Sequence, residues 1–276
     1  MTASGALAFD GRGWPWEWPF RWIGQLDPTL FTNVAKTLSR YPRKGNLRWT
    51  HPWSVVKNLQ DGVVNSIGLT NGGIDWWLEK IAPGLNLNYS MVVSIEADLE
   101  AEALEMIELI NPLDQKLKAI ELNLSCPNTP TTDQRSTEKL ISVCQKASQI
   151  SQLPLIAKIS YTHDYKILAQ ELERSTRIEA LAINSVPWKI VFPNTPSPLQ
   201  KFGGGGVSGK VIQQFTWKMV EELTKTTKIP VIGPSVWNFE DIQKIFDCGA
   251  KAVSFGSIFV SRPWSPTCFV KRYLNK

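Results

Sequence analysis

The segment Asn123-Leu124-Ser125-Cys126-Pro127-Asn128-Thr129-Pro130 sets two amides, a hydroxyl and a thiol directly after the apolar run Ala119-Ile120-Glu121-Leu122. That is how a buried strand delivers chemistry. Asn123 and Asn128 offer donors and acceptors to a flat, heteroatom-rich ligand, and the two prolines stiffen the turn. The Cys126 thiol can work as a general base or nucleophile where its surroundings favour the thiolate. The plainer alternative is a turn with a buried cysteine that packs as a small hydrophobe.

Such a segment needs a scaffold, and the apolar runs with their punctuation give a repeating strand and helix order. Candidate strands are Asn33 to Leu38, Val63 to Ile67, Met91 to Ile95, Ile120 to Leu124, Leu155 to Ile159, Ala180 to Asn184, Pro230 to Ile232 and Ala252 to Phe255. Helical patterns lie between them at Ile74 to Ile81, Leu99 to Ile110, Thr137 to Ile150, Tyr165 to Glu173, Val211 to Thr224 and Phe239 to Cys248. With 276 residues, 43% of them hydrophobic, the chain fits one α/β barrel of about 250 residues, although two ordinary domains also fit that length. No internal repeat or linker divides it, so the expected organisation is a single (β/α)8 barrel over residues 1–276. The stretch Val186 to Gly206 reads as a long loop.

In a parallel barrel the residues just after each strand converge on one face. That rule collects Lys36, Asn65, Asn123, Cys126, Asn128, Lys158, Asn184 and Ser185. Amides, cations and a thiol together suit a planar anionic ring held beside an electron-accepting cofactor. Taken singly, each asparagine reads as a cap or turn residue, and only their shared position after strands groups them.

Four cysteines without a CxxC pair argue for a reducing compartment, expected to be the cytoplasm, and against a structural zinc site or disulfide framework. The first residues lack a basic region followed by a long apolar stretch, and no run approaches the roughly 20 apolar residues of a membrane span. The segment Trp14-Pro15-Trp16-Glu17-Trp18-Pro19-Phe20-Arg21-Trp22 could sit at a lipid surface, but its prolines spoil a continuous amphipathic helix and favour a rim or oligomer contact. Net charge is +5, with much of the excess in Lys36, Arg40, Arg43, Lys44 and Arg48. This reads as a field for a small anion, a nucleic-acid footprint or a solvated face; no RNA-binding signature accompanies it, and neither nucleic acid nor membrane is expected as a partner.

The segment 123–130 closely resembles the active-site signature of the dihydroorotate dehydrogenases, in which a cysteine marks the soluble class and a serine the membrane-associated class. The resemblance extends over nearly the whole chain in order. It begins at Thr2-Ala3-Ser4-Gly5, runs through Ala35-Lys36-Thr37 and Pro42-Arg43-Lys44-Gly45-Asn46, and includes Asn65-Ser66-Ile67-Gly68-Leu69-Thr70-Asn71, similar to a substrate-carboxylate loop. Lys158, Asn184-Ser185, the turn Gly204-Gly205-Gly206-Val207-Ser208-Gly209 and Phe255-Gly256-Ser257 complete it.

What the resemblance implies is an enzyme that uses flavin mononucleotide (FMN) to oxidise (S)-dihydroorotate to orotate in pyrimidine biosynthesis. Cys126 would take the C5 proton while hydride leaves C6 for the flavin, and Lys158 would stabilise negative charge on the reduced flavin. Substrate would meet Lys36, Asn65, Ile67, Gly68, Leu69, Asn123, Asn128, Asn184 and Ser185. The cofactor would meet Ala3, Ser4, Gly5, Lys36, Thr37, Asn123, Lys158, Gly205, Gly206, Ser208, Gly209, Gly233, Ser235, Gly256 and Ser257, and no metal is implied. Electrons would pass to fumarate in a homodimer, or to NAD through a partner subunit carrying an iron–sulfur cluster. Cys126 and the short N-terminus point away from a membrane quinone. Alternatives are a flavin enzyme for another pyrimidine and a catalytically weakened barrel with poor flavin retention. The main departure is the turn Ile232-Gly233-Pro234-Ser235-Val236-Trp237-Asn238, where a glycine-rich phosphate site would be expected. Val236 suits no position with φ > 0, Pro234 offers no N–H, Ser235 could supply a hydroxyl, and a helix from about Asn238 could lend its first N–H groups.

Overall fold

The structure, a computed structural model, describes residues 1–48, 50–124 and 136–275. Cys126 and Asn128 therefore lie outside the described residues. The described strands are, in chain order, β1 (Thr32–Val34), β2 (Val56–Leu59), β3 (Gly62–Asn65), β4 (Ser90–Glu96), β5 (Ala119–Asn123), β6 (Leu155–Ile159), β7 (Ile178–Ile183), β8 (Val186–Pro187), β9 (Gly206–Gly209), β10 (Val231–Gly233) and β11 (Ala252–Val253).

Seven of them form one parallel sheet in the order β1-β4-β5-β6-β7-β10-β11. The segment Met1 to Ala3 closes it. Thr2 N–H donates to Thr32 O at 2.9 Å, while on the other side Ala3 N–H donates to Phe255 O at 2.7 Å and Phe255 N–H to Met1 O at 3.0 Å. The N-terminus thereby bridges the two sheet edges, β1 and β11, and the sheet curls into an α/β barrel. Both faces of the strands are covered, which is why β5 is buried at every position, Glu121 and Asn123 included.

Helices pack outside. Thr137–Ile150 has the span its sequence pattern predicts, because Leu140, Val143, Cys144 and Ala147 recur on one face and are all buried. Helix Tyr165–Ser175 starts where the Asp164 side chain accepts from Ile167 N–H, an N-cap. Helix Gln213–Thr226 begins two residues later than its pattern suggests, since Lys210–Ile212 forms a tighter turn.

Two expectations need correction. The run Val63 to Ile67 is not a barrel strand: β3 is an inner strand of a separate sheet, β2-β3-β9-β8, with antiparallel pairing throughout. Apolar content cannot tell one buried strand from another, and the remaining barrel position belongs to Met1 to Ala3. The stretch 186–206 is not a plain loop either. It supplies β8, helix Trp188–Val191 and the turn Gln200–Phe202, and buries Val186, Trp188 and Leu199 against Val64, Val207 and Ile212 in a small second core.

Candidate functional site

Between the carboxyl ends of the barrel strands and the small antiparallel sheet lies a cavity of about 220 Å³. Its walls include Ala3, Ser4 and Gly5 from the first turn, Asn65 and Ile67 after β3, Lys158 on β6, and Asn184 and Ser185 after β7. Ser208 and Gly209 on β9, Ser235 after β10, and Gly256 and Ser257 after β11 complete it. Thirteen residues singled out from sequence thus share one cavity. The Gly209 backbone, at φ 107°, passes so close to β3 that a Cβ there would stand 2.7 Å from Gly62 Cα, and one on Gly256 would stand 3.1 Å from Ala3 Cβ.

Thr37 and Asn123 do not line that cavity; they sit in a polar chain crossing the barrel interior. Ser4 Oγ lies 2.8 Å from Thr37 Oγ1, which lies 2.9 Å from Ser94 Oγ, and Ser94 donates to Glu121 Oε1 at 2.7 Å. Asn123 Nδ2 donates to Thr37 Oγ1 at 3.3 Å, and Lys158 Nζ stands 3.5 Å from Glu121 Oε1. Strand register creates the cluster: Ser94 pairs with Glu121 across β4 and β5, and Asn123 with Lys158 across β5 and β6. Asn123 Oδ1 is buried without a hydrogen-bond partner among the described residues. Sequence reasoning passed over Glu121. Its signal was a carboxylate inside a strand otherwise apolar, where a buried charge must be paired.

The loops carrying residues 42–47 and 65–71 are bound to each other. Arg43 and Asn71 exchange backbone hydrogen bonds of 2.9 and 3.0 Å, and the Thr70 hydroxyl, which accepts from Leu47 N–H at 3.2 Å, lies 3.0 Å from both Lys44 O and Ile67 O. Gly68 and Leu69 both have positive φ, 68° and 56°, so Leu69 occupies a conformation that β-carbon-bearing residues seldom adopt. These two residues do not themselves line the cavity, whereas their neighbour Ile67 does. Arg43 also pairs with the buried Glu96 at 2.6 Å, whose carboxyl is pushed up to about 7 by burial and by Asp98. Arg40 is held by Asp75 and Glu105, both at 2.7 Å, and Lys36 is buried. The basic run 36–48 is thus partly consumed inside the protein.

The turn after β10 differs from its sequence reading. Ser235, not Val236, takes the left-handed conformation, at φ 67°, and Val236 is 2% exposed in the main core. Gln213 Nε2 donates to Ser235 O at 2.9 Å, and Thr216 Oγ1 donates to Ser235 Oγ at 3.1 Å. The helix expected from about Asn238 begins at Asp241, and the N–H groups of Trp237 and Asn238 donate to Asp241 Oδ2 at 3.0 and 2.8 Å instead of standing open to an anion. Gly233 does not line the cavity; a Cβ there would meet Ile245 Cγ1 at 2.3 Å, so glycine lets this helix press on β10. Gly205 and Gly206 likewise stay outside it: a Cβ on Gly205 would stand 2.6 Å from Asn65 O, and Gly206 pairs with Asn65 between β3 and β9.

A second cavity, of about 300 Å³, shares Ser4, Gly5, Ala6, Val56, Ile67 and Val260 with the first and is walled further by Lys36, Trp14, Trp16 and Trp53. Trp14 donates from Nε1 to Gly5 O at 3.0 Å and stacks on Trp16 with ring centroids 5.5 Å apart. The tryptophan-rich segment is therefore built onto the first turn of the barrel rather than detached from it. No group of metal-ligating residues occurs among the described residues, and no described helix is long and apolar enough to cross a membrane.

Residues 28–272 match the family described as dihydroorotate dehydrogenase. Among curated relatives, the catalytic subunit of dihydroorotate dehydrogenase B (NAD(+)) from Thermoanaerobacter sp. (strain X514) is 28% identical over 278 residues, covering 98% of this chain and 86% of the relative. The protein of the same name from Carboxydothermus hydrogenoformans is 30% identical over 233 residues, covering 81% and 73%. Among solved structures, the complex of DHODH from Eimeria tenella with ferulenol superposes with a TM-score of 0.69 at 18% identity, covering 88% of this chain and 74% of that one. At that identity the likeness speaks for the fold alone.

Proposed function

Because the chain belongs to the dihydroorotate dehydrogenase family, we propose that this cavity oxidises (S)-dihydroorotate to orotate, a step of pyrimidine biosynthesis, with FMN as its resident cofactor. The observation that carries the reading is the sharing of one cavity by Lys158, the strand-end amides Asn65 and Asn184, and the closely approaching backbones of Gly209 and Gly256. A cation and amides suit the polar edge of a flat ring, and glycine backbones suit a ribityl phosphate that needs close approach. The unmet Asn123 Oδ1 adds an acceptor for a ring N–H. When bound, FMN supplies the two-electron acceptor for the reaction.

The chain's own residues do the remaining work. Cys126, outside the described residues but three places after Asn123 at the end of β5, takes the C5 proton as thiolate. Asn65, Asn123, Asn128 and Asn184 fix the pyrimidine edge, with Lys36 and Ser185 beside it, and Ile67, Gly68 and Leu69 present backbone to the substrate carboxylate. Lys158 holds positive charge where negative charge develops. The paired positive φ values at Gly68 and Leu69, clamped by Thr70 and Asn71, favour an anionic substrate over uracil-like rings. Several curated relatives are named as NAD(+)-linked catalytic subunits, so electrons are assigned to NAD through a separate subunit, with fumarate and a homodimeric assembly as the alternative. We place the protein in the cytoplasm, where the thiols Cys144, Cys248 and Cys268 stay reduced.

The test is direct. Purified protein should carry a flavin absorption band that (S)-dihydroorotate bleaches without air, and fumarate, NAD with candidate partner subunits, or a soluble quinone should then be offered for reoxidation. Colourless protein that binds no added FMN, or a band that uracil-type substrates bleach and dihydroorotate does not, would overturn the reading.

A further inference from the structure

Glu121 is 4% exposed in the middle of β5, and no part of the proposed reaction yet uses it. We propose that Glu121 is a positioning residue: its carboxylate anchors Lys158 from inside the barrel and, through Ser94 and Thr37, orients Asn123 and Ser4. The inference rests on the FMN reading above.

A buried carboxylate is tolerated only with charge and hydrogen-bond partners, and Glu121 Oε1 has both, Ser94 Oγ at 2.7 Å and Lys158 Nζ at 3.5 Å. The second distance is the informative one. At 3.5 Å the ammonium is restrained without being seized, and Lys158 also lines the cavity, so its charge faces Glu121 on one side and a ligand on the other. The negative charge of Glu121 then limits how much positive field Lys158 casts into the cavity. The hydroxyl chain carries the same anchor sideways: Ser94 to Thr37, and from Thr37 to Ser4 Oγ at 2.8 Å and Asn123 Nδ2 at 3.3 Å. The Nδ2 contact fixes which way the Asn123 amide is turned, with Oδ1 buried and without a partner among the described residues. One carboxylate thus fixes a cation on β6, an amide on β5 and a hydroxyl in the first turn.

The experiment is the midpoint potential of bound FMN in wild type, Glu121→Gln, Lys158→Met and the double variant, all at one pH. Glutamine keeps an acceptor for Ser94 and deletes the charge. The expected result is a rise in Glu121→Gln, about tenfold in the ratio of reduced to oxidised flavin at a given potential, or ~30 mV for a two-electron couple. The rise should disappear in the Lys158→Met background, because the effect travels through the ammonium. An unchanged potential, or the same shift with and without Lys158, would overturn the proposal. If Glu121→Gln holds no flavin, Glu121→Asp decides: recovered loading with a near wild-type potential supports a charge role, whereas equal failure of both variants marks a packing role and overturns it. Wild-type protein that binds no flavin would instead defeat the functional reading itself.

Discussion

Replacing the turn after β10 by glycine, residue by residue, separates backbone strain from core packing. Val236 is 2% exposed and belongs to the main hydrophobic cluster, so Val236→Gly removes a side chain whose burial contributes about 1.5–3 kcal/mol. The flexibility of glycine in the unfolded chain adds about 0.5–1 kcal/mol. The total loss is about 3 kcal/mol, or roughly 6–12 °C in Tm for a chain of this size. Ser235 is the opposite case. Its φ of 67° carries a steric cost of about 1–2 kcal/mol that glycine relieves, against about 1 kcal/mol for the lost hydrogen bond from Thr216 and the same glycine entropy. Ser235→Gly should therefore stay within about 1 kcal/mol of wild type, and FMN affinity should change less than roughly threefold, or ~0.7 kcal/mol. The double variant should retain FMN less well than wild type, because the folded turn is lost more often. Urea unfolding of each variant and flavin fluorescence titration at one ionic strength measure both quantities. A Val236→Gly protein as stable as wild type would refute the packing argument, and a Ser235→Gly protein losing more than about 2 kcal/mol would show that the hydroxyl outweighs the backbone strain.

Cys126→Ala should leave flavin content near wild type and slow dihydroorotate oxidation by about 10² or more in single-turnover bleaching, the scale for losing a general base. Lys158→Ala should lower the flavin midpoint potential, read by spectroelectrochemistry, because a cation beside the ring favours the anionic reduced form. Gly233→Ala should destabilise by about 1–3 kcal/mol in urea unfolding, since a Cβ 2.3 Å from Ile245 Cγ1 overpacks the contact between β10 and the helix that follows. Burial pushes the Glu17 carboxyl up to about 8, so the folded protein keeps it neutral while the unfolded chain ionises in the ordinary carboxylate range. Its contribution is full at acid pH and fades as pH rises to about 8, and thermal unfolding across that window should fall less steeply in Glu17→Gln than in wild type.

The barrel was legible where pattern and environment coincide. A helix with Leu140, Val143, Cys144 and Ala147 on one face has only one face to bury, and strands covered on both sides, such as Leu155–Ile159, are apolar except at the residue that reaches the cavity, Lys158. The candidate site was legible through topology, since residues following parallel strands must meet at one end of the barrel. What escaped depends on contacts between distant segments. Apolar content alone made Gly62–Asn65 read as a barrel strand; its place in a second sheet comes from the hairpin with β2 across the turn at Asp61, a local signal passed over, and from pairing with the distant β9, as Val63 with Ser208 shows. Glu121 was hidden by its apolar neighbours, and its meaning emerges only when strand register brings Ser94 to one side. Ser235 adopting positive φ in place of a glycine follows from Gln213 and Thr216 gripping the turn from the helix before it.

Those misses share a physical pattern that bears on the cofactor. At the ring end, the polar groups are fixed by barrel register: Ser94, Glu121, Asn123 and Lys158 sit on three adjacent strands. At the other end, the turn after β10 has spent its donors internally, with Trp237 and Asn238 bound to the buried carboxylate of Asp241. A carboxylate there opposes an incoming phosphate as well as occupying its donors. On the proposed FMN reading, the phosphate would draw on Ser208, Gly209, Gly256 and Ser257, which line the cavity from β9 and from the end of the barrel. Gly209 can serve only while the small antiparallel sheet is docked, because β9 is held by β3. On that reading, retention of the cofactor would depend on the packing of the second sheet, through Val64 and Val207 in its core, as well as on the barrel.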